Sequence, residues 1–314
     1  MILLAGGTGH LGATLSNLLA AHGHRVRVLS RDPSRARAHV PAGVEFVAGD
    51  VRVASTLEPA LAGVETVISA VTGFGPGGSG PGQVDLRGNQ NLIAAAVAAG
   101  VEHFILVSIH GASPDHPMEL YRAKFMAEET LRESGLEWTV IRPTVFMELW
   151  AGIVGDSLIK SGSATVFGQG ENPINFVSVR DVARFIELCV ADRRLRGTTL
   201  EIGGPENLTL NGVVELIAAS SGREPKARHI PLTALRLGAA LMRPVRPDIA
   251  GLIQASIRMD TTDMTFDATK LNAKFPQVQL SRLADVLPVQ SGAASHGANL
   301  MVSHSESEGG SASV

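Results

Sequence analysis

The run Ala5-Gly6-Gly7-Thr8-Gly9-His10-Leu11-Gly12 carries the strongest chemical signal in the chain. Gly7, Gly9 and Gly12 fit the spacing GxGxxG, while Gly6, Gly9 and Gly12 fit GxxGxxG. Glycine permits a tight turn, lets backbone N–H groups approach a pyrophosphate, and lets a helix pack closely on a strand. A helix N-terminus adds partial positive charge. The run follows the apolar Ile2-Leu3-Leu4 and opens a helical pattern, which is the context dinucleotide binding needs. An NAD site usually offers a carboxylate about 20 residues beyond the glycines, for the ribose hydroxyl. Arg31 stands there instead, with Asp32 one residue late. A guanidinium grips a 2′-phosphate in bidentate fashion, so NADP(H) is expected as the preferred cofactor, with NAD(H) possible. Arg35 and Arg37 lie nearby and read as a solvated helix start.

Proton chemistry centres on Lys124, Tyr121, Ser108 and His110. A lysine ammonium beside a phenol lowers its pKa, and the phenol can then pass a proton to a carbonyl oxygen. Spacing of four residues puts such a pair on one helix face. Here Tyr121, the sole tyrosine, precedes Lys124 by three residues, and Leu120 occupies the fourth place. One helical step is about 100°, so Tyr121 is turned away from the expected position and is not assigned the acid role by default. His110 follows Ser108 closely, and histidine titrates in the useful range. His116 precedes the helix. Each group has a plainer reading. The histidines can be loop residues, Ser108 can close a strand, and Asp50 can cap a turn. Lys124 can be a solvated lysine pairing with Glu128 one turn later.

Strands are expected at Ile2–Ala5, Arg25–Ser30, Val44–Ala48, Thr66–Ala70, His103–Ser108 and Trp138–Arg142. Helices are expected at Leu11–Ala21, Leu86–Ala99 and Leu120–Ser134. That alternation predicts an α/β fold: a doubly wound parallel-sheet Rossmann fold with a smaller C-terminal substrate lobe. Gly73–Gly82 reads as a flexible loop, either a surface connection or a mobile flap. Later come a strand at Phe176–Val179, a helix at Asp181–Val190 capped by Ser178 or Asp181, a strand at Thr199–Gly203, and a helix at Leu210–Ser220 ending at Gly222. The domain reading is 1–147 for the NAD(P)-binding Rossmann domain and 148–288 for the substrate lobe, with some segments returning to the sheet. Residues 289–314, rich in Gly, Ser, Ala and His, read as a disordered tail.

Hydrophobic residues at 45% permit a full core, and aromatics at only 4% favour helices on a sheet over a sandwich. A net charge of −3 without basic blocks argues against nucleic acid as a partner. The single cysteine, Cys189, excludes an intrachain disulfide and a cysteine-built metal site, and no metal is expected. No apolar run reaches membrane-spanning length, and no leader precedes the first strand, so a cytoplasmic protein without membrane insertion is expected.

Further stretches carry a family resemblance: GGTGHLG (Gly6–Gly12), VLSRDPSRA (Val28–Ala36), VAGDV (Val47–Val51), NLIAAAVAAGVEHFILVSIHGA (Asn91–Ala112), YRAKFMAEETLRESGLEWTVIRPTVF (Tyr121–Phe146) and FVSVRDVARFI (Phe176–Ile186). In order and spacing they resemble the atypical short-chain dehydrogenases/reductases of the NmrA-like, NAD(P)H-binding group. The resemblance implies that Gly6, Thr8, Gly9, His10, Leu11 and Gly12 hold the pyrophosphate. It places Asp50 and Val51 at the adenine, and Ala70, Val71 and Thr72 beside ribose and pyrophosphate. It further implies Ser108 beside the nicotinamide, Lys124 on the nicotinamide ribose, and Pro143, Thr144 and Phe146 at the border of the substrate cleft.

The expected activity is NADPH-dependent reduction of a small apolar quinone, enone or carbonyl compound. The apolar cluster Phe146, Met147, Leu149, Trp150 and Ile153 lines the lobe in this reading, with about half of it serving as core. A second reading is a non-catalytic NADP(H) sensor or scaffold with a protein partner, which Leu120 in place of tyrosine favours. A third is non-redox chemistry like that of sugar-nucleotide epimerases. A homo-oligomer is compatible with any of these.

Overall fold

The computed structural model describes residues 1–36 and 43–287. The chain runs β1 (Ile2–Ala5), α1 (His10–Ala21), β2 (Val26–Ser30), α2 (Pro33–Ala36), β3 (Glu45–Ala48), β4 (Thr66–Ser69), α3 (Asn89–Ala98), β5 (His103–Val107), α4 (Glu119–Arg132) and β6 (Glu137–Pro143). It continues through β7 (Val145–Phe146), α5 (Met147–Ser161), β8 (Ala164–Phe167), β9 (Ile174–Val177), α6 (Val179–Ala191), β10 (Thr198–Ile202), β11 (Asn207–Leu208) and α7 (Leu210–Ser221). It closes with β12 (Ala227–Ile230), α8 (Leu232–Met242), α9 (Pro247–Thr261), α10 (Thr269–Lys274) and α11 (Leu283–Val286).

Seven strands form the main sheet in the order β10-β6-β5-β4-β1-β2-β3, and every neighbouring pair is parallel. Strand order reverses between β1 and β4, and ligands of open parallel sheets bind at such a point, beyond the carboxyl ends. Helices cover both faces. Leu11, Leu15 and Leu19 of α1 join Val182, Phe185 and Ile186 of α6 in one core. Leu92, Ile93 and Ala96 of α3 join Ala127 and Leu131 of α4 in the other. Burial on both faces is why β1 and β5 read as unbroken apolar runs.

The expected doubly wound Rossmann fold is present, and Thr198–Ile202 returns from the second half to extend the sheet at β6. Ser178, not Asp181, caps α6: its side chain accepts from the Arg180 N–H. Gly222 ends α7 with φ +63°, the left-handed conformation that suits glycine. The helix expected from Leu86 differs. A π-helical turn spans Gly82–Gly88 and only then does α3 begin. The wide turn points Asp85 inward and sets Gly88 against Val51, whose Cγ2 would lie 2.7 Å from any Cβ there. Residues 289–314, read as a tail, lie outside the described residues, as does Arg37.

The second half builds its own core from Met147, Trp150, Val154 and Leu158 of α5 with Val213, Val214 and Ile217 of α7. Of the apolar cluster expected to line the lobe, Met147 and Trp150 are packed in this core, whereas Leu149 and Ile153 are exposed. Cys189 is a buried core residue.

His103, fully buried at the start of β5, bonds Thr139 Oγ1 through Nε2 at 2.9 Å. Burial, helped by the Arg196 charge, pushes its pKa down from 6.5 to about 4. The folded chain therefore favours neutral His103, while the unfolded chain takes up a proton near pH 6.5. Stability from this group is complete above pH 6.5 and declines as pH falls toward 4, by up to about 3 kcal/mol. Urea midpoints between pH 7 and 4 should fall accordingly, and His103→Gln should flatten that fall. An equal slope in both proteins would remove His103 as the cause.

Candidate active site

The glycine turn forms by close backbone contact. Gly6 takes φ +87°, and a Cβ there would lie 2.6 Å from Ala70 O. A Cβ on Gly7 would meet Val28 Cγ1 at 2.6 Å, and one on Gly12 would meet Gly6 O at 2.1 Å. The Gly9 N–H donates to Gly6 O at 3.1 Å, closing the turn. At the start of α1 no side chain caps the helix and no acidic residue occupies the first turn. Its leading N–H groups therefore stay available to an anion. Thr8, Gly9 and His10 are exposed at this end. Leu11 sends its side chain into the sheet core, so only its backbone can meet a cofactor. A cradle that any Cβ would fill, opening onto an uncapped helix, fits a dinucleotide pyrophosphate.

The other expected cofactor residues stand along the same carboxyl edge. Arg31 follows β2 and is exposed. Asp50, past β3, is gripped by Arg52 at 2.5 Å, and this hydrogen bond is the main reason its carboxyl titrates below the ordinary range. Arg31 adds a smaller electrostatic share. Val51 is buried and its carbonyl accepts from Asn91 Nδ2 at 2.9 Å. Beyond β4, Ala70 backs onto Gly6, and Thr72 Oγ1 accepts the Phe74 N–H at 3.1 Å. Pro143 ends β6 and accepts the His110 N–H at 2.9 Å. Thr144 Oγ1 donates to Asn175 Oδ1 at 2.9 Å, a tie between β6 and the second core, and Phe146 is half-buried beside it.

Lys124 is 5% exposed, so it is not a solvated lysine. Its Nζ donates to Val71 O and Val107 O, both at 2.9 Å, and stands 3.0 Å from Asp85 Oδ1. The other Asp85 oxygen accepts the Gly73 N–H at 2.8 Å. Lys124 thus locks the exits of β4 and β5 together, at the edge where the nicotinamide end of the cleft is expected. The pairing with Glu128 does not occur. Glu128 turns into the fold instead, where it bonds Arg142 at 2.6 Å and Arg132 at 2.9 Å and accepts the Ser108 hydroxyl.

Ser108 and His110 are joined through that carboxylate. Arg142 links Glu128 to Glu201 at 3.1 Å, and Glu201 holds His110 Nδ1. Chiefly through its hydrogen bond to Glu128, Arg142 is held above its ordinary pKa despite burial. Burial pushes Glu201 up, but hydrogen bonds from His110 and Arg142 more than offset it and leave the carboxyl below its usual range. The result is an oriented imidazole whose Nδ1 partner is a carboxylate. Asp85, Glu128, Arg142 and Glu201 were not read from the sequence as site residues. Arg142 and Glu201 did carry a signal, as charges within apolar strands that face each other in register.

Tyr121 is not brought to Lys124. Its ring stacks on His116, centroids 3.8 Å apart, under the loop that follows β5. Burial raises its pKa, with Arg258 partly opposing. A tyrosine paired with lysine is shifted the other way.

Comparison with known proteins gives the family and the fold. A sequence profile described as NAD(P)H-binding matches residues 6–193. An NAD(P)H azoreductase of Xenophilus azovorans is 31% identical over 233 residues, covering 74% of this chain and 77% of that protein. A photosystem II assembly factor of Synechocystis is 29% identical over 244 residues, covering 77% and 74%. In fold, the chain resembles an NADPH-dependent quinone oxidoreductase of Escherichia coli solved with NADPH, with a TM-score of 0.73, 23% identity, and coverage of 91% of this chain and 98% of that one. The chain belongs to the NAD(P)H-binding family, in the atypical short-chain dehydrogenase/reductase group that includes NmrA-like proteins.

Proposed function

We propose that this NAD(P)H-dependent oxidoreductase uses NADPH to reduce a small, mostly apolar quinone, enone or carbonyl compound. The observation that carries the reading is His110, oriented by Glu201 and placed two residues after Ser108 beyond β5. When bound, NADPH supplies a hydride. The chain's own residues then have three tasks. The glycine turn and α1 hold the pyrophosphate. Lys124, fixed by Asp85, keeps the ends of β4 and β5 in place. His110 Nε2 delivers a proton to the substrate oxygen, with Glu201 stabilising the charged imidazole before and the tautomer after. In this reading residues 1–147 serve the cofactor and 148–288 the substrate, in the cytoplasm. Among the described residues no helix is long and apolar enough to cross a membrane.

NADPH absorbance should fall when the protein meets a panel of quinones, enones and ketones. His110→Gln should lower kcat by about 100-fold on ketones and less on quinones, whose reduced anions solvent can protonate. NADPH binding with no turnover on any compound would favour the second reading, an NADP(H)-binding sensor or scaffold. That reading draws on Leu120 in place of the usual tyrosine and on the likeness to an assembly factor. Epimerase-like chemistry ranks below both, because it too calls for the tyrosine.

The preference for NADPH rests on Arg31. Arg31→Ala should weaken NADPH roughly tenfold or more, the worth of a charged hydrogen bond, and barely change NADH. Fluorescence titration of both cofactors decides it, and equal weakening of the two would end the NADP assignment.

A further inference from the structure

A cavity of about 420 Å³ lies between the glycine loop 73–81, the start of α4 and the α8–α9 hairpin. It adjoins the site described above: Gly73 on its wall donates to Asp85, and Leu120 lies about one turn before Lys124 on α4. Its apolar wall is formed by Phe74, Met118, Leu120, Ala250 and Gly251. Four charged side chains also line it, and their pairing is unequal. Asp248 is engaged by Arg246 at 2.9 Å and by the Gly77 N–H at 3.0 Å. Glu119 accepts the Gly82 N–H at 3.2 Å. Arg122 donates only to the carbonyl of His116, and Arg243 is exposed; among the described residues neither has a carboxylate partner. The cavity thus combines an apolar wall with two guanidinium groups that no carboxylate pairs, and with Asp248 neutralised by Arg246 the single remaining carboxylate, Glu119, offsets only one of them.

We propose that this cavity is the substrate pocket, and that Arg122 and Arg243 select a substrate carrying an anionic group on an apolar body. The proposal deepens the reductase reading and rests on it for the word substrate. It also moves the pocket away from the α5 cluster, whose Met147 and Trp150 serve as core. A guanidinium binds carboxylate, sulfonate and phosphate through the same paired N–H donors, so the anion class is common to all three.

The test uses the full chain with NADPH saturating, and calorimetric titration with 2-naphthol, 2-naphthoate, 2-naphthalenesulfonate and 2-naphthyl phosphate. At least one anion should bind roughly tenfold or more tighter than the neutral naphthol. The best of the three identifies the group. Arg243→Gln and Arg122→Gln should each remove most of that preference, and Arg243→Glu should reverse it. Arg236→Gln, an exposed arginine of α8 outside the cavity lining, should leave it intact. The proposal is overturned if naphthol binds as well as every anion, if the preference survives both glutamine variants, or if NADPH competes the probes away. Binding that follows these expectations while no quinone, enone or ketone is reduced would uphold the anion pocket and defeat the reductase reading alone.

Discussion

Gly12→Ala should abolish measurable NADPH binding, a loss of at least about 100-fold, and destabilise the fold by about 1–3 kcal/mol. The added methyl would stand 2.1 Å from Gly6 O and 2.5 Å from Gly7 Cα. Both are backbone atoms of a turn that is itself pressed against Ala70, so neither can rotate away. Relief requires α1 to move off β1, which takes the leading N–H groups of the helix out of register with the pyrophosphate. Gly152→Ala is the matched control, since nothing lies within 4 Å of a Cβ there and the residue is helical. That change should be neutral or stabilise slightly. NADPH fluorescence titration and thermal melting of both variants check the contrast. Binding by Gly12→Ala within a few-fold of the parent would show that the cradle is not where the cofactor sits.

The second large effect concerns the buried pair of Lys124 and Asp85. Asp85 is wholly buried and Lys124 nearly so, so removing one partner leaves an uncompensated charge away from water. Asp85→Asn and Lys124→Met should each cost about 3–5 kcal/mol, and the double variant should cost much less than their sum. Urea denaturation of the four proteins at pH 7 measures this coupling. Additive losses, or single variants within about 1 kcal/mol of the parent, would refute it. The same physics bears on kinetics: any fall in rate from changing Lys124 must be measured where the variant is still folded.

The parallel sheet was legible because doubly buried strands announce themselves as apolar runs, and β1 through β6 fall within a residue or two of their expected limits. The cofactor cradle was legible for a steric reason, since only glycine tolerates those backbone contacts. Side-chain partnerships across the fold were not. Lys124 and Glu128 are neighbours on a helix by spacing alone, yet the helix turns the first toward Asp85 and the second toward Arg142. That choice depends on which elements pack on either side, and the pairing of β10 with β6 that brings Glu201 to Arg142 joins residues 59 apart. Asn175, whose amide ties Gly204 and Thr144 together, gave no signal beyond being a polar residue in an apolar strand.

The π-helical turn at Gly82–Gly88 holds one residue more than an α-helix would. Asp85 meets Lys124 from within that turn, and Asn89 meets Ser69 directly after it. Shortening the segment by one would rotate Asp85 by about 100° relative to α3 while leaving every neighbouring side chain chemically unchanged. Part of the site is therefore encoded as a length. When related chains are aligned, a one-residue gap at this turn would be stronger grounds for expecting a different site than most substitutions within it.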